Sequence, residues 1–231
     1  LDLGLSDGRR KHSVAADILS VHVEANRIVT DTNEFDLAYA SEQLRRSRHP
    51  VRKFIKRFYL DHVLQDVHGP AIDFGCGAGQ MLERLPAGSI GVEINPVLVA
   101  QLKASGFNVV AYDASTDDFG FGGFAPNAYK TLVISHVLEH FADSASVIRK
   151  ILRACARLGI DTVVAVVPGE KGYASDPTHK TFVTEKYLSD EGLTRCEGFE
   201  ITKIHYFPGD TRNIGKYFTF HEMKIVYKRV N

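Results

Sequence analysis

The sequence predicts an α/β chain built on a doubly wound, mostly parallel sheet and preceded by a helical appendage. Three observations predict it. Between Ala71 and Val167, short and nearly continuous apolar runs alternate with segments of helical pattern. Strands read this way when helices cover both faces of a parallel sheet. The first of these runs stops at Gly75-Cys76-Gly77-Ala78-Gly79, a glycine loop placed between strand and helix. The last third then turns to long aromatic and β-branched segments that suit an antiparallel pair closing one side of the sheet.

The elements follow in order. Val21 to Val29 reads as a short strand or irregular structure, and Glu34 to Leu44 as a helix. Pro50 can open a further helix at its first turn, with Val51, Phe54, Ile55, Phe58, Tyr59 and Val63 toward one side. We expect residues 1–66 to form a helical appendage or lid, and residues 67–231 the main domain. Seven of the thirteen residues from Arg45 to Arg57 are basic and none is acidic, which reads as a solvated helix face or a phosphate-binding patch. Strands are expected at Ala71–Phe74, Ile90–Ile94, Phe107–Ala111, Thr131–Ile134 and Thr162–Val167. Helices are expected over Gln80–Leu85, from Pro96 to Gly106, and from Ser144 to Gly159. In the last of these, Val147, Ile148, Ile151, Leu152, Cys155 and Leu158 recur at helical spacing. Thr184 caps a short helix running to Asp190. Phe199–Tyr206 and Tyr217–Tyr227 form the closing antiparallel pair.

Composition excludes several classes of function. The 231 residues are 44% hydrophobic and 24% charged, a globular balance, and 28 Lys+Arg cancel 28 Asp+Glu. A neutral whole argues against a general polyanion binder. No apolar run approaches a membrane span, and the first residues show no signal-peptide pattern. Cys76, Cys155 and Cys196 are odd in number and far apart, so neither a disulfide framework nor a zinc knuckle is expected. The expected setting is reducing and cytoplasmic.

The glycine loop departs from the dinucleotide pattern, because its third glycine comes one residue early. Asp73, beside the loop's mouth, would repel a pyrophosphate yet could hold an ammonium group or an ordered water. Glu93 ends the second strand, where a carboxylate can accept both hydroxyls of a ribose. Asp113 ends the third, within reach of an adenine amine. Any one of these acids alone reads as a solvated loop residue. Three at successive carboxyl-terminal strand ends fit an adenosine carrying an amino acid tail, since ligands of open α/β sheets bind along that line.

These residues resemble the class I S-adenosylmethionine-dependent methyltransferases. The resemblance rests on Ala71-Ile72-Asp73-Phe74-Gly75-Cys76-Gly77-Ala78-Gly79, Gly91-Val92-Glu93-Ile94-Asn95, Tyr112-Asp113-Ala114 and Ile134-Ser135-His136-Val137-Leu138-Glu139-His140. It implies a Rossmann-like sheet of seven strands with the last antiparallel, and S-adenosylmethionine as donor with S-adenosylhomocysteine as product. By resemblance, Asp73 and Gly75, with Cys76, Gly77 and Gly79 of the same loop, lie near the methionine part. Glu93, followed by Ile94, would bind the ribose hydroxyls, Asp113 with Ala114 would cover the adenine, and Ser135 with His136 would flank the donor after the fourth strand.

The acceptor is argued from the loops. His136-Val137-Leu138-Glu139-His140 matches the His-x-x-Glu-His pattern of an inverted zinc protease, but it directly follows a strand inside a donor-binding pattern. Glu139 and His140 are therefore expected to bond to backbone. Asp176-Pro177-Thr178-His179 follows the fifth strand. There His179 could take a proton from a hydroxyl with Asp176 as its orienting partner, or simply hold the loop's shape. Asp117 and Asp118 sit in a Gly-rich loop as solvated acids, and no metal is expected. The segment after strand four lacks the Asn/Asp-Pro-Pro-Tyr of amino methylation, and no cysteine is placed for cytosine chemistry. The reading is therefore methyl transfer to a hydroxyl of a small-molecule or saccharide-type acceptor, with or without a phosphate. Methylation of RNA or protein side chains, and a catalytically silent cofactor-binding or interaction protein, are the alternatives.

Overall fold

The computed structural model describes residues 50–230, and their side chains from Arg57 onward. The expected strand at 21–29, the helix at 34–44 and the basic positions Arg45, Arg46 and Arg48 lie outside the described residues. So do the side chains of Val51, Arg52, Lys53, Phe54, Ile55 and Lys56. The elements are α1 (Pro50–Leu64), β1 (Ala71–Phe74), β2 (Ile90–Glu93), α2 (Pro96–Ala104), β3 (Val109–Ala111), β4 (Thr131–Ser135) and α3 (Ser144–Leu158). Then come β5 (Thr162–Pro168), α4 (Glu170–Ala174), α5 (Glu185–Asp190), β6 (Arg195–Cys196), β7 (Phe199–Phe207) and β8 (Glu222–Arg229). They form one sheet in the order β3-β2-β1-β4-β5-β8-β7-β6. The first five strands in that order are parallel, and β8 runs antiparallel to both β5 and β7. The sheet has eight strands rather than seven, because the two-residue β6 pairs back onto the start of β7.

Every residue of β1, β2 and β5 is buried, whereas β3 at the sheet's edge becomes exposed at Ala111. On one face, α3 buries Ile148, Ile151, Leu152, Cys155 and Leu158 against Ile134, Val163, Ala165 and Tyr227. On the other, Tyr59, Leu60 and Val63 of α1 pack with Met81, Val133, Val164 and Val166. Phe58 faces outward and is 50% exposed. Two elements are shorter than their sequence pattern suggests. Gln80–Leu85 makes only a 3-10 turn at Leu82–Arg84, because Pro86 and Gly88 follow too closely for a helix to propagate. Tyr217 is 79% exposed and lies outside β8, which starts at Glu222 after a 3-10 turn over Arg212–Lys216.

Candidate functional site

β1, β2 and β4 all end at the same edge of the sheet, and the loops leaving them build the first half of the site. The turn after β1 is drawn onto β2, since the Gly75 and Cys76 N–H groups both donate to the Val92 carbonyl, at 2.9 and 3.1 Å. Gly75, Gly77 and Gly79 all have positive φ. A Cβ on Gly75 would meet Val137 Cγ2 at 2.6 Å, whereas one on Gly77 would have no neighbour within 4 Å. The turn is thus closed on its protein side and open at Gly77, where a ligand can lie against the backbone. Glu93, 6% exposed, fixes that opening. Its Oε2 accepts from Gly77 N–H at 2.8 Å and its Oε1 from Asn95 N–H at 2.9 Å. Burial pushes the Glu93 carboxyl upward, and the backbone donors oppose it.

The other expected donor contacts spread along the same edge. Asp73 is buried at the end of β1. Cys76 is buried, and burial followed by the Asp73 and Glu93 carboxylates drives its thiol far up, so it is inert packing against Gly91. Ile94 is 38% exposed, an apolar surface beside Glu93. Asp113 is half-buried, and its Oδ1 accepts from the Ser115 N–H and Oγ at 2.9 and 2.7 Å, with half-buried Ala114 between them. Asp117 is not a free loop acid. It accepts from Tyr112 Oη, Gly120 N–H and Gly122 N–H at 2.7, 3.1 and 2.7 Å, and so shapes the glycine-rich loop. Burial would raise its carboxyl, but these donors together outweigh it and hold the carboxyl low.

Beyond β4 the chain makes an unusual turn. His136 is a non-glycine residue at φ 56°, a conformation that persists only where surroundings hold it. Its Nε2 lies 2.9 Å from Glu222 Oε1 on β8, and its Nδ1 lies 3.3 Å from Glu139 Oε1. Burial alone would lower its pKa, but the Glu222 and Glu139 carboxylates outweigh that and raise it well above the imidazole range. With 37% of the side chain exposed, solvent screens part of this pull. Ser135 is hydrogen-bonded to the Tyr59 hydroxyl, which ties α1 to the site. The sequence marked Tyr59 only as part of a helix's apolar side and Glu222 not at all, since each reaches the site from an element distant in the chain.

The loop after β5 supplies the second half. His179, 8% exposed, places Nδ1 at 2.8 Å from the Tyr173 carbonyl and Nε2 at 3.8 Å from Glu139 Oε1. Asp176 does not orient His179. Its Oδ1 accepts from Thr178 N–H and Oγ1 at 3.0 and 2.7 Å, and Thr178 Oγ1 lies 3.0 Å from His140 Nδ1. The His140 side chain bonds to the Thr178 backbone as the sequence suggested, but the Glu139 side chain does not bond to backbone. Only the main-chain carbonyl of Glu139 serves that purpose, accepting from Lys180 and Thr181 N–H at 2.7 and 3.1 Å. A cleft beyond the end of β5 is lined by Phe182, Thr184, Tyr206, Arg212, His221 and Met223, with Tyr206 and His221 stacked at 5.4 Å.

A family model described as a methyltransferase domain matches residues 39–210. An S-adenosylmethionine-dependent methyltransferase from Archaeoglobus fulgidus is similar over 84% of this chain and 100% of its own, at 22% identity and a TM-score of 0.59. Magnesium protoporphyrin IX methyltransferase from Synechocystis, solved with S-adenosylmethionine bound, is similar over 91% of each chain, at 14% identity and a TM-score of 0.51. The cyclase SpnF is similar over 80% of this chain and 84% of its own, at 16% identity and a TM-score of 0.54. At such identities the structures share a fold, and a fold alone does not set a reaction. No curated protein matches the chain in sequence.

Proposed function

The chain belongs to the methyltransferase-domain family, as a class I S-adenosylmethionine-dependent methyltransferase, and on that premise we propose that it methylates a hydroxyl oxygen of a small-molecule or saccharide-type acceptor. The observation that carries this reading is the meeting of an open glycine turn, pinned by Glu93, with a histidine-lined wall at one sheet edge. The residues fit the donor. A carboxylate has about four lone-pair sites, so Glu93, with Gly77, Asn95 and Ile94 as its backbone donors, can still accept from a ribose hydroxyl without dismantling the turn. We assign Asp73, Gly75, Cys76, Gly77 and Gly79 to the methionine side. Ile94, Asp113 and Ala114 are assigned to the adenine, and Ser135 and His136 to the wall between donor and acceptor.

When bound, S-adenosylmethionine supplies a sulfonium methyl carbon that already carries a good leaving group, so the chain's task is alignment and exclusion of water. His179 is the acceptor-side residue of choice. Its Nδ1–H is engaged by the Tyr173 carbonyl, so Nε2 offers its lone pair to an acceptor hydroxyl. Arg212, at the rim of the cleft beyond β5, suits an acceptor that carries a phosphate.

Calorimetric titration with S-adenosylhomocysteine tests the donor half, and one-site micromolar binding is expected. Methyl transfer to hydroxylated and phosphorylated metabolites, run beside RNA and peptide acceptors, tests the other half. Turnover confined to RNA or peptide would sink the acceptor assignment, and absent S-adenosylhomocysteine binding would sink the donor site.

A further inference from the structure

Glu139, His140 and His179 each bring one ligand-type atom within 4.8 Å of the other two. The Glu139 side chain is 1% exposed, and neither of its oxygens accepts a hydrogen bond from a described residue. The nearest approach of His136 falls outside hydrogen-bond geometry, and that ring is already engaged with Glu222. His179 Nε2, at 3.8 Å, is also too far to donate. Among the described residues the His136 ring is the one positive group beside Glu139 and it also serves Glu222, so two carboxylates share one cation and a further cation would offset the remainder.

The two histidines are held with their donor nitrogens turned away from one another's task. A carbonyl only accepts, so His179 Nδ1 carries the hydrogen that Tyr173 receives, and Nε2 faces Glu139 with a lone pair. Thr178 Oγ1 donates its hydrogen to Asp176, so it accepts from His140 Nδ1–H, and the basic nitrogen of His140 is Nε2. Ligating histidines take this form, with the second nitrogen tied to a carbonyl or a carboxylate relay that fixes the tautomer. Two acceptor atoms facing each other across 3.8 Å leave room for an ion, since ligands bound at about 2.1 Å around a tetrahedral ion stand about 3.4 Å apart.

We propose that Glu139, His140 and His179 form a binding site for one divalent first-row transition ion of the zinc or manganese type, supported by Tyr173, Thr178 and Asp176. Two imidazoles and one carboxylate suit such ions better than calcium or magnesium, which take oxygen ligands. Three protein ligands leave a coordination position free for water or an acceptor oxygen. His140 is partly buried, and the His179 side chain is 8% exposed. The protease-like pattern is met in spelling alone, because His136 is held by Glu222 and the third ligand comes from the loop after β5. The inference goes beyond the methyl-transfer reading, since an ion on His179 Nε2 replaces the direct hydrogen bond to the acceptor.

Titration of the full chain with Co²⁺, followed by visible absorption and competed with Zn²⁺, tests the site. Thermal unfolding with and without Zn²⁺ gives a second readout. One equivalent of Co²⁺ is expected, with an unfolding temperature that climbs with Zn²⁺ concentration. Glu139→Gln and His140→Asn should each weaken Co²⁺ binding at least ~10-fold and abolish the Zn²⁺-dependent rise. Metal-free Glu139→Gln also loses the charge contact with His136, so each variant is judged by its own Zn²⁺-dependent rise rather than by its metal-free unfolding temperature. His140→Asn, at a partly exposed position, keeps the test open should the first variant fold poorly. Absent Co²⁺ binding, or an affinity unchanged in both variants, overturns the proposal. S-adenosylhomocysteine affinity, measured on the same samples, reports separately on the donor site.

Discussion

Glu93 sits where β2 runs out, with one oxygen on Gly77 N–H and the other on Asn95 N–H, so its removal acts on the turn as well as on a bound diol. Glu93→Ala should weaken S-adenosylhomocysteine at least ~10-fold by calorimetry and cost about 1–3 kcal/mol in denaturant unfolding, from donors left unpaired. Glu93→Gln keeps one oxygen acceptor and should lose less of both. Gly75→Ala and Gly77→Ala share the strain of positive φ, but only the first drives a Cβ into Val137. Thermal melts should therefore place Gly75→Ala below Gly77→Ala, while the second costs donor affinity instead. The glycine run and the three acids were legible in the sequence because their chemistry is local and regularly spaced. The partner of Asp176 was not, since adjacency in the chain suggested His179 and the folded loop turns the carboxylate toward Thr178 and, through it, His140.

Elements were legible where pattern and punctuation agreed. α3 is the clearest case, with its apolar stripe, an Asp143 cap accepting from Ser146 N–H at 2.9 Å, and a stop at Gly159. α2 is capped by Asn95, whose Oδ1 accepts from the N–H groups of Val97 and Leu98 at 2.9 and 3.2 Å. Asn95→Ala should cost about 1 kcal/mol in chemical denaturation, and loosen the Glu93 neighbourhood with it. Thr184 caps α5 as its sequence suggested, accepting from Tyr187 N–H at 3.1 Å. Boundaries failed where a tertiary limit overrode the pattern. The helix-forming run after the glycine turn is cut short by Pro86, and the aromatic stretch from Tyr217 stays out of the sheet until Glu222. The two-residue β6 had no sequence signature, because a strand that short shows no alternation.

One buried charge ties the whole molecule together. Asp66, just past α1, meets Lys224 of β8 at 2.6 Å and Lys203 of β7 at 2.7 Å, and Lys224 also donates to the His62 carbonyl at 2.7 Å. Burial would raise the Asp66 carboxyl, but the two lysines outweigh it and hold it below the usual range. A depressed carboxylate contributes stability above its unfolded value of about 3.9, and that contribution fades as pH falls through the lower folded value. Asp66→Asn should cost about 3–5 kcal/mol at neutral pH, since Lys224 is left buried without its counter-charge. It should also flatten the fall of stability below about pH 4, which urea titrations across that range would register. The strand that carries Lys224 comes last of the described elements yet lies between β5 and β7. On the ribosome, then, every earlier strand emerges before the one that joins the two halves of the sheet. Until it arrives, the nascent chain carries open edges on both sides of the gap, each a template for pairing with the wrong strand. Emergence of β8, rather than assembly of the glycine turn, is the moment at which this sheet can close.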